Sequence, residues 1–316
     1  MVKSSVASAP VIKIPADATE YEHLALLGLL NSSNACFWMK QVSQKKQMTA
    51  GDSIRIESIA KVPHEFAGTQ LQKLPLPPKW QTSSLRIRLI DLARKVDELA
   101  QQLTSLTALR SIEEGLASGE NLRKIWQKYV KKRTQIRSQL IFLQEEIDFV
   151  CYCFYEIGDL SLLAPDPLSW NTSIDAGDRP FCILKQENQE GFSVPPGIPH
   201  HWSKELQELW KKRISAVEQS KSLKIIEDPH YKRRWIGQQG KFNHAVNTDE
   251  LEPGCESWLL DRLETYFDFD GRMNDDGKPT SKIDNLPNLD RKTRRHRPPR
   301  LQLPASWRTL PQRLRL

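Results

Sequence analysis

Residues 231–235 run Tyr-Lys-Arg-Arg-Trp, so that Lys232, Arg233 and Arg234 stand between the rings of Tyr231 and Trp235. Cations of this kind neutralise phosphates and release counterions, and the flanking rings put stacking surface at the same point. A second cluster, Arg123, Lys124, Lys128, Lys131, Lys132, Arg133 and Arg137, has no acid within it and falls in a helical pattern, where it would form a phosphate track. Lys40, Lys45 and Lys46 make a third group at the end of an apolar helical stretch. For each cluster the plain alternative is a solvated face. After Asp290 no acid occurs at all, and a tail of that composition is expected to be flexible and to bind nucleic acid without specificity, or to bind nothing.

Catalytic readings of other residues are weaker. Glu227-Asp228-Pro229 with Lys232 could be imagined as a metal-dependent nuclease site, but the usual carboxylate-then-E-x-K order is absent. A turn opening a basic segment is the better reading. His200-His201 has no Cys or Asp at ligand spacing, so it reads as a loop before a helix rather than a metal site. Five cysteines without CxxC spacing argue against a disulfide framework and for reduced, packed thiols. No nucleophile motif anchors a hydrolase triad. The expectation is of no catalytic and no metal-binding residue in this chain.

The elements that must position these residues follow from periodicity. Thr19-Glu20 opens an apolar run, Leu24 to Leu30, which breaks at Asn31-Ser32-Ser33-Asn34 and resumes at Ala35 to Met39. That predicts a buried helix, or a helix and a turn, over 19–46. Leu74-Pro75-Leu76-Pro77-Pro78 must leave helix and strand alike. Ser53 to Ile59 alternates as a half-buried strand does. Leu85, Leu89, Leu92, Val96, Leu99, Leu103 and Leu106 predict an amphipathic helix over 83–112, with Gly115 and Gly119 marking a break. A second long helix is predicted over 120–157, a loop-rich stretch over 158–200, and helices over 201–224 and 256–267. Trp38, Trp126, Trp210 and Trp258 are expected in the core.

With 316 residues the chain is long enough for two domains and a real core. A formal charge of +7 favours acidic partners such as nucleic acid without requiring them. No signal-peptide pattern is present and no apolar run reaches a membrane span, which makes a cytoplasmic location the default.

Three blocks carry a family resemblance. LALLGLLNSSNACFWMKQV with EFAGTQLQKLPLP, then RSQLIFLQEEIDFVCYCFYEIGDL, then IPHHWSKELQELWKKRISAVEQSKSLKIIEDPHYKRRW resemble the C-terminal, target-recognition part of BREX-type PglX enzymes and, more distantly, Eco57I-like proteins. These are adenine-specific DNA methyltransferases of phage-defence systems. The resemblance spans roughly 15–265, and its most specific point is Pro229 followed by Tyr231, Lys232, Arg233, Arg234 and Trp235. It implies a DNA-binding portion that holds duplex DNA while a catalytic half, in cis or trans, flips out adenine and methylates it from S-adenosylmethionine. The catalytic signatures are missing here. There is no Gly-x-Gly, and the Pro-Pro pairs at 77–78, 195–196 and 298–299 lack the (N/D/S)PP(Y/F) pattern. The chain is therefore expected to be inactive alone and to hold no cofactor itself.

The expected fold is α+β and mostly helical. A small α+β recognition unit (1–80) is followed by a long helical spacer (81–157), a helical basic C-terminal domain (158–267) and a flexible basic tail (268–316). Expected partners are duplex DNA, a methyltransferase catalytic domain or chain, and further defence-system subunits, with no membrane. The alternatives are a scaffold subunit of a defence complex and an inactive gene fragment.

Overall fold

The computed structural model describes residues 12, 14–45, 64–170, 172, 174–186, 197–232, 235, 251–264, 268–273 and 279–282. The chain divides into two compact units, Met1–Leu251 and Glu252–Leu316.

The first unit is a helical body. Helix α1 (Glu20–Leu30) starts at Thr19 through a capping box: the Glu22 backbone N–H donates to Thr19 Oγ1, and the Thr19 N–H donates to Glu22 Oε2 at 2.7 Å. The polar break expected after it is a real one. Ser32 caps α2 (Ser33–Val42) by accepting from the Ala35 N–H. A two-residue antiparallel pairing follows, β1 (Gln44–Lys45) with β2 (His64–Glu65), then the single turn α3 (Gly68–Leu71). The proline step that comes next lies across the end of a later helix. Tyr155 Oη donates to the Pro75 carbonyl at 2.7 Å, and the Trp80 and Phe154 rings lie 5.5 Å apart.

The helix expected over 83–112 is two helices, α4 (Ser84–Ser105) and α5 (Ala108–Ala117). The leucine period runs on through Leu106, but Thr107 accepts from the Arg110 N–H and starts a new helix. Gly119, at φ 74°, ends α5 with the Glu120 N–H bonded back to the Gly115 carbonyl. Gly115 itself is no breaker: it lies inside α5, where a Cβ would come within 2.4 Å of Ile125.

Helix α6 (Leu122–Phe154) has 33 residues and so runs ~50 Å at 1.5 Å per residue. Its first half is amphipathic, burying Ile125 and Tyr129 while its lysines face water. From Leu140 to Phe154 every residue is buried. That inner half is the axis of the body. Leu29 of α1, Leu89 and Leu92 of α4, and Trp210 of the next helical layer share one core with Ile141, Leu143 and Val150 of α6. Each such fully buried large apolar side chain contributes ~1.5–3 kcal/mol. Phe142 stacks near both Trp170 and Trp210, at 6.0 and 6.2 Å. The remaining helices of the layer are α7 (Pro180–Gln186), α8 (Lys204–Gln219) and α9 (Lys221–Ile226), the last two separated by the Ser220 cap. Of the tryptophans expected inside, Trp210 is buried, whereas Trp38, Trp126 and Trp258 are half-buried.

In the second unit, α10 (Leu251–Glu264) is followed by an antiparallel pair, β3 (Asp268–Met273) and β4 (Pro279–Lys282).

The fold is thus mostly helical, as expected, but the small α+β unit over 1–80 is not borne out. Among the described residues that stretch has only the two-residue pairing, and α1 and α2 pack on the α4–α6 body. The strand expected at Ser53 to Ile59 lies outside the described residues. No helix among the described residues is long and apolar enough to cross a membrane.

Candidate functional site

Fifteen apolar-enclosed positions on α6 include three acids in four places: Glu145, Glu146 and Asp148, all buried. A buried carboxylate needs a cation and hydrogen-bond donors. The fold supplies both, in two separate clusters.

The larger cluster is built around Lys232. Its Nζ donates to Glu145 Oε2 and Glu227 Oε1, both at 2.7 Å, and lies 3.1 Å from Asp148 Oδ2. Asp148 also accepts from the Ser33 backbone N–H at 2.7 Å and from Ser33 Oγ at 2.8 Å. The backbone N–H is available because Ser33 is the first residue of α2, where backbone N–H groups have no partner within the helix. Tyr152 Oη donates to Glu227 Oε1 at 2.6 Å. Arg179, buried beside them, donates from Nε to the Ala176 carbonyl and from Nη1 to the Lys232 carbonyl.

The electrostatics follow from this count. Burial alone would lower the pKa of the Lys232 ammonium, but Glu145, Glu227 and Asp148 outweigh it and hold it above the ordinary lysine range. Burial pushes Glu145 up to about 7, against the pull of Lys232. The two shifts agree physically: one ammonium meets three carboxyls, so one acid retains its proton most readily. Burial, with Glu227 alongside, also raises the Tyr152 phenol well above its usual value, keeping it a donor.

The smaller cluster is Glu146 with Arg213 and Arg88. Arg213 and Glu146 are fully buried and paired, and the Arg213 guanidinium lies 4.2 Å from the Phe149 ring centre and 4.9 Å from that of Trp210. Arg88 reaches Glu146 at 3.5 Å and donates to the Ala164 carbonyl, while the Ala164 N–H donates to Glu146 Oε2 at 3.3 Å.

These contacts relocate several residues that the sequence presents as phosphate contacts. Lys232 is the clearest correction: its ammonium is enclosed by three carboxylates, so it faces no solvent and reaches no phosphate. The same ammonium fills the place a metal would need between Glu227 and its neighbours, which removes the nuclease alternative. Lys40 donates to the His230 carbonyl, and Tyr231 packs edge-on to Phe37 at 5.0 Å while accepting from Gln41 Nε2 at 3.0 Å. Those contacts fasten α2 to the 228–231 turn. Arg137 is half-buried with its guanidinium 5.6 Å from the Trp235 ring centre, and burial lowers its pKa. Arg133 is half-buried over Tyr129. Lys45 pairs with His64 in the β1–β2 ladder, and Lys46, Arg233 and Arg234 lie outside the described residues.

What stays exposed is the outer half of α6: Arg123, Lys124, Lys128, Lys131 and Lys132. Lys124, Lys128, Lys131 and Lys132 are spaced i, i+4, i+7 and i+8, which puts them on one side of the helix. Lys128 also pairs with Glu120. The cysteines behave as packed thiols: burial pushes Cys153 and Cys182 up to about 12. His200 and His201 are exposed ahead of α8.

Sequence reading missed Glu145, Asp148, Ser33, Arg179 and Arg213. The usable signal was three acids inside the otherwise apolar run LIFLQEEIDFVCYCF, which cannot be buried without cations brought from elsewhere in the chain.

With one charged centre joining Ser33, Glu145 and Asp148 of the QEEID run, and Glu227–Lys232, the three blocks of the family resemblance meet in space. Comparison with known sequences agrees. A family model described as a domain of unknown function (DUF7008) matches residues 140–295, from the inner half of α6 onward. The chain resembles part of the BREX-type PglX methyltransferases: it is 35% identical over 294 residues to the adenine-specific methyltransferase PglX of Streptomyces coelicolor. That match takes in 86% of this chain and 22% of the relative, so the chain spans about a fifth of that protein's length. No solved structure gives a significant match.

Proposed function

We propose that this chain is the DNA-holding, target-recognition portion of an adenine-specific DNA methyltransferase in a phage-defence system, acting in the cytoplasm. It holds duplex DNA while a catalytic half, in cis or trans, supplies S-adenosylmethionine and the base-flipping loop. The chain's own residues do not fit that cofactor, since neither a Gly-x-Gly turn nor an (N/D/S)PP(Y/F) loop is present. The role of this chain is to position the duplex.

The observation that carries the reading is the exposed lysine side of α6 described above. It presents Lys124, Lys131 and Lys132, with Lys128 paired to Glu120, on a 33-residue helix whose other half is buried in the core. Phosphate contacts of that kind fix register on the duplex and make affinity fall with salt. The likeness to a methyltransferase supplies the substrate class.

The test is duplex binding by the purified chain across a salt series. If several phosphates are neutralised, the slope of log affinity against log salt is about −0.9 for each. A folded chain that fails to bind at low salt ends the reading.

A further inference from the structure

The free side of α6 carries two parallel ridges. One runs Lys124, Lys128 and Lys132 at steps of four, and its neighbour runs Arg123, Gln127, Lys131 and Gln135 at the same step. All of these residues are exposed, while Ile125, Tyr129 and Ile136 turn to the body. Phosphate binding accounts for the lysine ridge. It does not account for the other, where cation and carboxamide alternate, because a carboxamide releases no counterion.

The two glutamines also lack an internal use. Gln101 and Gln219, likewise exposed on helices, donate to Asp97 at 2.7 Å and to Ser215 Oγ at 2.9 Å. The side chains of Gln127 and Gln135 make no hydrogen bond among the described residues. No acid lies between Asn121 and Gln144, so their amide N–H groups have no carboxylate on this half of the helix to bind.

A helix so dressed matches the major groove of duplex DNA. With side chains an α-helix is ~10–12 Å across, and the groove is ~12 Å wide. A carboxamide sets an acceptor beside a donor, which is the complement of the N6 amino group and N7 of adenine. At 1.5 Å per residue Gln127 and Gln135 stand ~12 Å apart, or about three to four base steps of ~3.4 Å.

We propose that the outer half of α6 lies in the major groove of duplex DNA, where Gln127 and Gln135 read base edges with a preference for adenine, while Lys124 and Lys132 hold phosphates beside them. Lys128 contributes less, being paired with Glu120. The bases read in this way stay in the stack, unlike one that a catalytic half flips out. The proposal rests on the reading of the chain as DNA-holding, and it adds which side chains carry the sequence preference.

The test is selection of duplexes from a random-sequence library by the purified full chain, followed by binding of the enriched and a scrambled duplex across a salt series. The expected motif fixes adenine at two positions about three to four base pairs apart. Gln127→Ala relaxes one position and Gln135→Ala the other, each cutting the preference for the enriched duplex by about five- to hundredfold. The salt slope keeps its wild-type value in both, since no phosphate contact is lost. Lys124→Ala does the reverse: affinity for both duplexes falls together and the motif survives. Alanine favours the helix and both glutamines are exposed, so both variants keep at least the wild-type melting temperature. The proposal is overturned if the wild-type chain binds duplex without enriching a motif, or if the glutamine variants select the same motif as wild type. In either outcome the DNA-holding reading stands. It is also overturned if poly-glutamate displaces the enriched duplex at equal charge, which marks a general polyanion surface. A folded chain that binds no duplex at low salt ends both readings.

Discussion

Ser33 and Asp148 stand 115 positions apart in the chain, yet the backbone N–H and the hydroxyl of Ser33 both donate to the Asp148 carboxylate, at 2.7 and 2.8 Å. The pair joins the start of α2 to the middle of α6. It also shows why the LNSS and QEEID blocks belong together: one supplies donors at a helix start, the other the buried acid that needs them.

Removing either residue should cost stability by different amounts. Ser33→Ala deletes one of the two donors and is expected to cost about 1–3 kcal/mol. Asp148→Ala takes one carboxylate from the Lys232 cage and strands donors, for a loss of about 3–5 kcal/mol. Urea unfolding of the two variants gives the order, and equal midpoints would refute the arrangement.

The pH dependence has a definite sign. Glu145 holds its proton up to about 7 in the fold, against an ordinary value of 4.5. Its folded pKa is raised, so its contribution is complete below 4.5 and is lost as pH rises through about 7. The urea midpoint should therefore decline across that window. In Glu145→Gln, which is neutral at every pH, this part of the decline should flatten. An unchanged slope in the variant would assign the effect to another group. Lys232, also raised, adds a loss of stability only above its ordinary 10.5.

Two glycines four residues apart should respond for different reasons. Gly115→Ala puts a Cβ 2.4 Å from Ile125 Cγ1 and 2.6 Å from its Cδ1, at the close crossing of α5 and α6. Overpacking there is expected to cost about 1–3 kcal/mol, more than the helix propensity gained. Gly119→Ala meets nothing within 4 Å but must adopt φ 74°, for a loss of about 1 kcal/mol. Pairing each variant with Ile125→Val in a double-mutant cycle tells them apart, since only Gly115→Ala should be partly rescued.

If the outer half of α6 tracks phosphates, replacing Lys124, Lys131 and Lys132 by Ala should reduce the salt slope by about 0.9 for each phosphate no longer neutralised. Lys232→Met, by contrast, should alter stability before it alters binding. Filter binding and thermal melting of the two proteins, side by side, decide between a surface role and a buried one.

The helices were largely legible in the sequence because their burial follows a period. Leu85 through Leu103 predicts α4, and Ile125 through Phe154 predicts α6. Thr19 before an apolar run marks a start that proves to be a capping box. Three things were not legible. The leucine at 106 extends the α4 period past the point where Thr107 begins another helix. Gly115 looks like punctuation, but its role is the space it leaves for Ile125. Lys232 sits in a basic run, and a run cannot say which member turns inward. That was decided by Glu145 and Asp148, 87 and 84 positions upstream.

The reach of α6 bears on how such proteins are cut for study. The family match begins at residue 140, partway along a continuous helix that starts at Leu122. A fragment begun there would inherit Glu145, Asp148, Glu227 and Lys232. It would forfeit Ser33, and with it the α1 and α4 leucines that share the apolar core with the inner half of α6. The stretch matched by the family model is therefore not enclosed by its own residues alone. Its acids would be delivered to water half-dressed, and expression boundaries are better drawn ahead of Thr19.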